Sequence, residues 1–171
     1  MIRTIRGCPE LVSISVILFV VVASAWSFSP GNPLLNGCIT REGGMASLFR
    51  ACEPMSHGHV VQATVSANLG VSLSDTSSQS PLGVVYFDAS GSASVSSGAW
   101  VWVVTCGICD VFVDGAVSSR TVLTTSATTR GYSQGQAAVP PVTVAEHNGE
   151  IGHILMKTTG AGLASAVLHF N

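Results

Sequence analysis

Charge is scarce in this sequence. Seven Lys or Arg and nine Asp or Glu make up only 9% of 171 residues, against roughly a quarter in an ordinary soluble domain. The basic residues form no cluster, which excludes the electrostatic footprint of direct nucleic-acid binding. No acidic run is present either, so there is no solvating tail. A Gly-rich loop ending in Lys, which would cradle a phosphate, is missing. So are a Gly-x-Ser-x-Gly elbow and a carboxylate pair in an aromatic, sugar-binding setting. No long amphipathic helix and no internal repeat can be traced. These absences argue against an enzyme. Scarce charge also removes the usual defence against association, which implies that partners cover much of the surface.

Apolar residues make up 47% of the chain, and Val, Thr, Ser, Ala and Gly dominate its second half. Branched Cβ atoms favour the pleated surface of a strand. From His59 onward, strand-like runs alternate with turn signals. Val61, Ala63 and Val65 alternate with polar neighbours, as in a half-buried strand. Ser74 to Pro81 is a loop, Val84 to Phe87 a strand, and Asp88 to Gly98 a Ser/Gly-rich turn. Trp100 to Val104 is apolar at both parities. Such a strand is buried on both faces, or buried on one and covered by a partner on the other. Trp100, Trp102 and Val104 are therefore the interface candidates. Asp114-Gly115 between apolar runs signals a tight hairpin. Thr121 to Thr125 is a strand and Arg130 to Gln136 a polar loop. Pro140-Pro141 keeps Ala137 to Val144 out of any central strand. Ile151 to Lys157 follows an Asn148-Gly149 turn. In the last strand, Ala166, Leu168 and Phe170 share one face. The fold class is all-β, a small β-barrel or β-sandwich over residues 59–171, with a flexible or hydrophobic N-terminal arm.

That arm has two parts. Arg3 and Arg6 precede an apolar run from Leu11 to Val22, then Ala23-Ser24-Ala25 and Trp26, so residues 1–28 resemble a signal peptide. The run is short for a bilayer-spanning helix of about 20 residues. Only retention of residues 11–26 as an anchor would make a membrane partner. Alternatively, translation starts at Met45, because codons for Arg41-Glu42-Gly43-Gly44 can form a purine-rich ribosome-binding site, and residues 1–44 lie upstream of the true start. Residues 29–58 read as an extended arm or linker.

Five cysteines are present. Cleavage after Ala25 leaves four, enough for two disulfides in an exported protein. Cys106-Gly107-Ile108-Cys109 is a CxxC, which can be redox-active or half of a zinc site. In a strand, residues three apart point to opposite faces, so Cys106 and Cys109 meet only if Gly107 bulges. Small apolar side chains in a core strand are the plainer account, and no cofactor is called for. His57 and His59 could complete a site with Cys52 if the fold gathers them. His153 reads as a side chain on a strand's outer face.

Three stretches carry a family resemblance. They are Val111-Phe112-Val113-Asp114-Gly115-Ala116-Val117-Ser118-Ser119-Arg120-Thr121-Val122-Leu123, then Glu150-Ile151-Gly152-His153-Ile154-Leu155-Met156, then Gly160-Ala161-Gly162-Leu163-Ala164-Ser165-Ala166-Val167-Leu168. Together they resemble phrases of tailed-phage capsid decoration (cement) proteins over roughly residues 99–171. The chain departs from the family pattern at Arg120, at the two extra cysteines and in its hydrophobic N-terminal segment. The resemblance implies a β-barrel-like module, commonly trimeric, on the outer face of an icosahedral head. It implies the major capsid protein as partner, a location in the virion and no active site. The competing expectation is an exported bacterial β-sandwich, a surface or fibre subunit of adhesin type.

Overall fold

The protein is described by a computed structural model over residues 37–136 and 144–170. The hydrophobic segment, residues 29–36 of the expected arm and most of the Pro140-Pro141 stretch lie outside these residues. The chain is built of β-strands, as expected. In order they are β1 (Gly37–Ile39), β2 (Met45–Ala51), β3 (Met55–Ser56), β4 (Val60–Ala63), β5 (Gly70–Leu73), β6 (Gly83–Asp88), β7 (Ser94–Val95), β8 (Trp100–Val113), β9 (Val122–Thr125), β10 (Ser133–Gly135), β11 (Glu150–Ile154) and β12 (Gly162–His169). One helical turn, α1 (Val144–Asn148), precedes β11.

β8 spans 14 residues and organises the molecule. Its first half pairs with β2 and β6, its second half with β12 and β10. The pairings therefore close twice. One ring runs β2-β5-β4-β6-β8; the other is a five-stranded barrel, β8-β10-β9-β11-β12. β3 and β7 form a separate two-stranded ribbon.

Each ring has its own packing. Ala51, Val61, Val71, Val85, Val101 and Val103, with at least one residue from each strand of the first ring, form one cluster, joined by Met55 and Val95 of the ribbon. Val111, Val113, Leu123, Ile151, Ile154, Ala164, Ala166 and Leu168 form the other. Ala46, Val60, Val84 and Val104, on β2, β4, β6 and β8 of the first ring, join this second cluster. Adjacent residues such as Val60 and Val61, or Val103 and Val104, thus pack in different cores, which explains the apolar runs at both parities. Even positions of early β8 (Trp102, Val104) and odd positions of late β8 (Cys109, Val111, Val113) belong to the same cluster. One change of parity is needed between them. It coincides with the register shift opposite Met45/Ala46 and with Gly107 at φ 90°, as expected of a bulge.

Three expectations are corrected. From Gly37 on, the 29–58 stretch is part of the sheet, with Ala46, Leu48, Ala51 and Met55 buried. Met45 is the first residue of β2 and pairs with Ile39 of β1. β4 ends at Ala63 and leaves Val65 fully exposed. Asp114-Gly115 makes no tight hairpin, because β9 begins only at Val122 and pairs with β10 and β11 rather than β8. Asp114 has other work: its carboxylate accepts from the Ser126 and Thr128 hydroxyls, and its N–H donates to the Ser133 carbonyl.

Candidate functional site

The three interface candidates lie at the start of β8 but differ in exposure. Trp100 is 36% exposed and sits opposite Arg50. Trp102 is half-buried and packs on the larger cluster. Val104 is 0% exposed. It is a core residue, because its parity places it in the second cluster, and it is no interface candidate. The most exposed apolar pair elsewhere in the sheet is Ile39 and Met45, at 78% and 59%, directly opposite each other on β1 and β2. Among the described residues β1 is also an edge strand, and a strand edge can accept another chain.

Of the CxxC pair, Cys106 is half-buried and Cys109 buried. Cys109 is in the core, and burial pushes its thiol up to about 12, away from the thiolate that redox or metal chemistry requires. Gly107 has a structural task. A Cβ there would lie 2.7 Å from the Gly43 carbonyl and 2.9 Å from Gly44 Cα. The β1–β2 turn therefore presses directly on β8 at this glycine. Cys38, Cys52, Cys106 and Cys109 are all free thiols.

His57 and His59 part company in the fold. His57 stacks on Phe87 at 4.9 Å and donates from Nδ1 to the Tyr86 carbonyl. His59 lies among Phe112 and Tyr132, and its Nδ1 accepts the Ser56 N–H at 3.1 Å. Burial lowers the pKa of His59, with Glu53 opposing the shift. Neither histidine joins Cys52 in a metal-ligating set.

A different cluster, which local sequence does not bring together, forms at the β11–β12 pair. Ligand atoms of Glu150, His153 and His169 all lie within 4.8 Å of one another. His169 Nε2 is 3.6 Å and His153 Nε2 4.0 Å from Glu150 Oε1. His147 Nδ1, on α1, is 3.3 Å from the other oxygen, Oε2. The two rings of His153 and His169 stand 4.7 Å apart. Glu150 is buried, whereas His153 is exposed and His169 half-buried. Two local features make this possible. Residues 150 and 153 would face opposite ways in a regular strand, but the register shifts between Glu150 and Gly152. And Gly152 lets β12 approach: a Cβ there would sit 2.1 Å from the Val167 carbonyl oxygen. The Glu/His spacing was the available signal; without the bulge and the β11–β12 register it could not be read.

No family model matches the chain, and no curated protein matches it. Solved structures do. The N base of head fibre gp8.5 of bacteriophage phi29 is similar over 72% of this chain and 92% of its own length, with 13% identity and a TM-score of 0.50. A chain from the capsid of the Myoviridae phage XM1 is similar over 84% of this chain and 98% of its own, with 14% identity and a TM-score of 0.52. At this identity the likeness is one of fold.

Proposed function

We propose that the protein is a structural component of a phage virion that decorates the head by binding the outer face of the major capsid lattice and stabilises it. The observation that carries this reading is the fold likeness to two phage head proteins across nearly their whole lengths. It agrees with the motif resemblance over residues 99–171. The physical chemistry supports it. A surface with few charges is suited to burial, and a lattice repeats each contact many times, so modest apolar anchors add up through multivalency. Ile39 and Met45 on the β1–β2 pair, with Trp100 opposite Arg50, are the anchors we assign to the lattice. No catalytic role is assigned.

Heads lacking the protein, mixed with the purified full chain and sedimented, test this. Saturable co-sedimentation at a fixed ratio to the major capsid protein is expected, with Met45→Glu or Trp100→Glu weakening it at unchanged circular dichroism. Absence of binding to heads would sink the proposal. An exported, disulfide-bonded form with a new N-terminus at Trp26 would replace it with the surface-subunit reading. Light scattering on the free protein tests the trimer that the family resemblance implies.

A further inference from the structure

We propose that Glu150, His153 and His169 form a surface site for a divalent first-row transition ion, Zn²⁺ by ligand type, that staples β11 to β12. The inference is independent of the capsid reading. Two imidazoles and one carboxylate are the donors that Zn²⁺ accepts in three-ligand sites with an open fourth position. Tetrahedral ligands at about 2.0–2.2 Å from the ion lie roughly 3.3–3.6 Å from each other. The separations from Glu150 Oε1 to the two Nε2 atoms, 3.6 and 4.0 Å, reach that range by small side-chain rotations.

The donors are also held from behind. Glu150 is buried, so its carboxylate has little freedom to turn away. His147 lies on the oxygen that does not face the other two rings, which orients the ligating oxygen in the manner of an outer-shell partner. His153 and His169 are partly exposed, so the ion can enter from solvent and water can fill the fourth position. The ligands come from both strands of one pair, Glu150 and His153 from β11 and His169 from the end of β12. Binding would therefore tie the last strand to the barrel, and affinity for the folded chain would appear as stability.

The test is titration of the chelator-treated full chain with ZnCl₂ near neutral pH, read by calorimetry and melting temperature. One equivalent with a raised melting temperature is expected. His153→Gln with His169→Gln should weaken binding at least tenfold, His147→Gln less, and His57→Gln not at all. Co²⁺ in the site should give a visible spectrum without the intense near-ultraviolet band of thiolate ligation. If the histidine variants misfold, zinc protection of His153 and His169 from diethyl pyrocarbonate in the unmutated chain, read by peptide mass, gives the same answer. No binding at millimolar zinc, binding that survives the double variant, a thiolate band, or no protection would each overturn the site.

Discussion

The two rings that share β8 are built differently. The first is packed by small side chains, Ala51 and five valines from β4, β5, β6 and β8, completed by Met55 and Val95. The second uses longer ones, Leu123, Ile151, Ile154 and Leu168, and also buries polar residues, Thr125, Ser126, Ser133 and Glu150. The first ring carries valines whose neighbours serve the other core, and the exposed side chains on its side of the sheet include the apolar Ile39, Met45 and Trp100. Both rings have irregular ladders, at Met45/Ala46 and Val85/Asp88 in the first and at Glu150/Gly152 in the second, but only the last lies beside Glu and His side chains and a helical turn. At Glu150/Gly152 the irregularity brings residues of unlike parity, Glu150 and His153, to one face.

The comparison can be broken experimentally. The largest effect is expected for Leu123→Ala in the second ring, about 2–5 kcal/mol from lost transfer energy and the cavity left behind. Val71→Ala in the first ring removes a smaller side-chain volume and should cost about 1–3 kcal/mol. Both are fully buried, and chemical denaturation reads them. Equal losses would mean that the two cores do not differ as described.

Gly107→Ala should come next, at about 2 kcal/mol. It forces a side chain into positive φ against the Gly43 carbonyl, 2.7 Å from the new Cβ. A melting temperature unchanged by this variant would show that the β1–β2 turn does not depend on β8 at that point.

A pH dependence then sharpens the seam between the rings. His59 is held neutral in the folded state by burial, and its Nδ1 accepts from Ser56. The unfolded chain takes up a proton near pH 6.5, whereas the folded one resists until lower pH. Stability from this group is therefore complete above pH 6.5 and declines as pH falls below it. His59→Gln should flatten that part of a melting-temperature profile. A wild-type slope retained in the variant would assign the acid sensitivity elsewhere.

The smallest effect is expected at Arg130, which reaches across from the β9–β10 connection to the first ring. It pairs with Glu53 through two bonds of 2.7 and 2.8 Å and with Asp75 at 3.1 Å. Glu53 in turn accepts the Leu73 N–H. The pairing is bidentate but half-exposed, so Arg130→Ala should cost about 0.5–1 kcal/mol, less in high salt. A loss that does not respond to salt would point to packing of the Arg130 stem instead of charge.

Much of the molecule is legible in its sequence. Val and Thr in short runs between Gly, Ser and Asp determine strands and turns locally, and β6, β8, β9 and β12 lie where those runs predict. The alternation of Ala166 and Leu168 against Ser165 and Val167 is a periodicity that needs no partner to be read. Early β8 is apolar at both parities, which predicts burial on two faces, but not which core takes which side chain. Only the tertiary structure decided that Val104 joins the second core while Val103 fills the first, because the outcome depends on β2, β6 and a bulge in the same strand. It also decided that Asp114-Gly115 does not make a hairpin, since β9 found its partners in β10 and β11. And it alone assembled Glu150, His153 and His169. Residues three apart on a strand, and residues on different strands, acquire a common face only through register, which is fixed by long-range pairing rather than by local propensity.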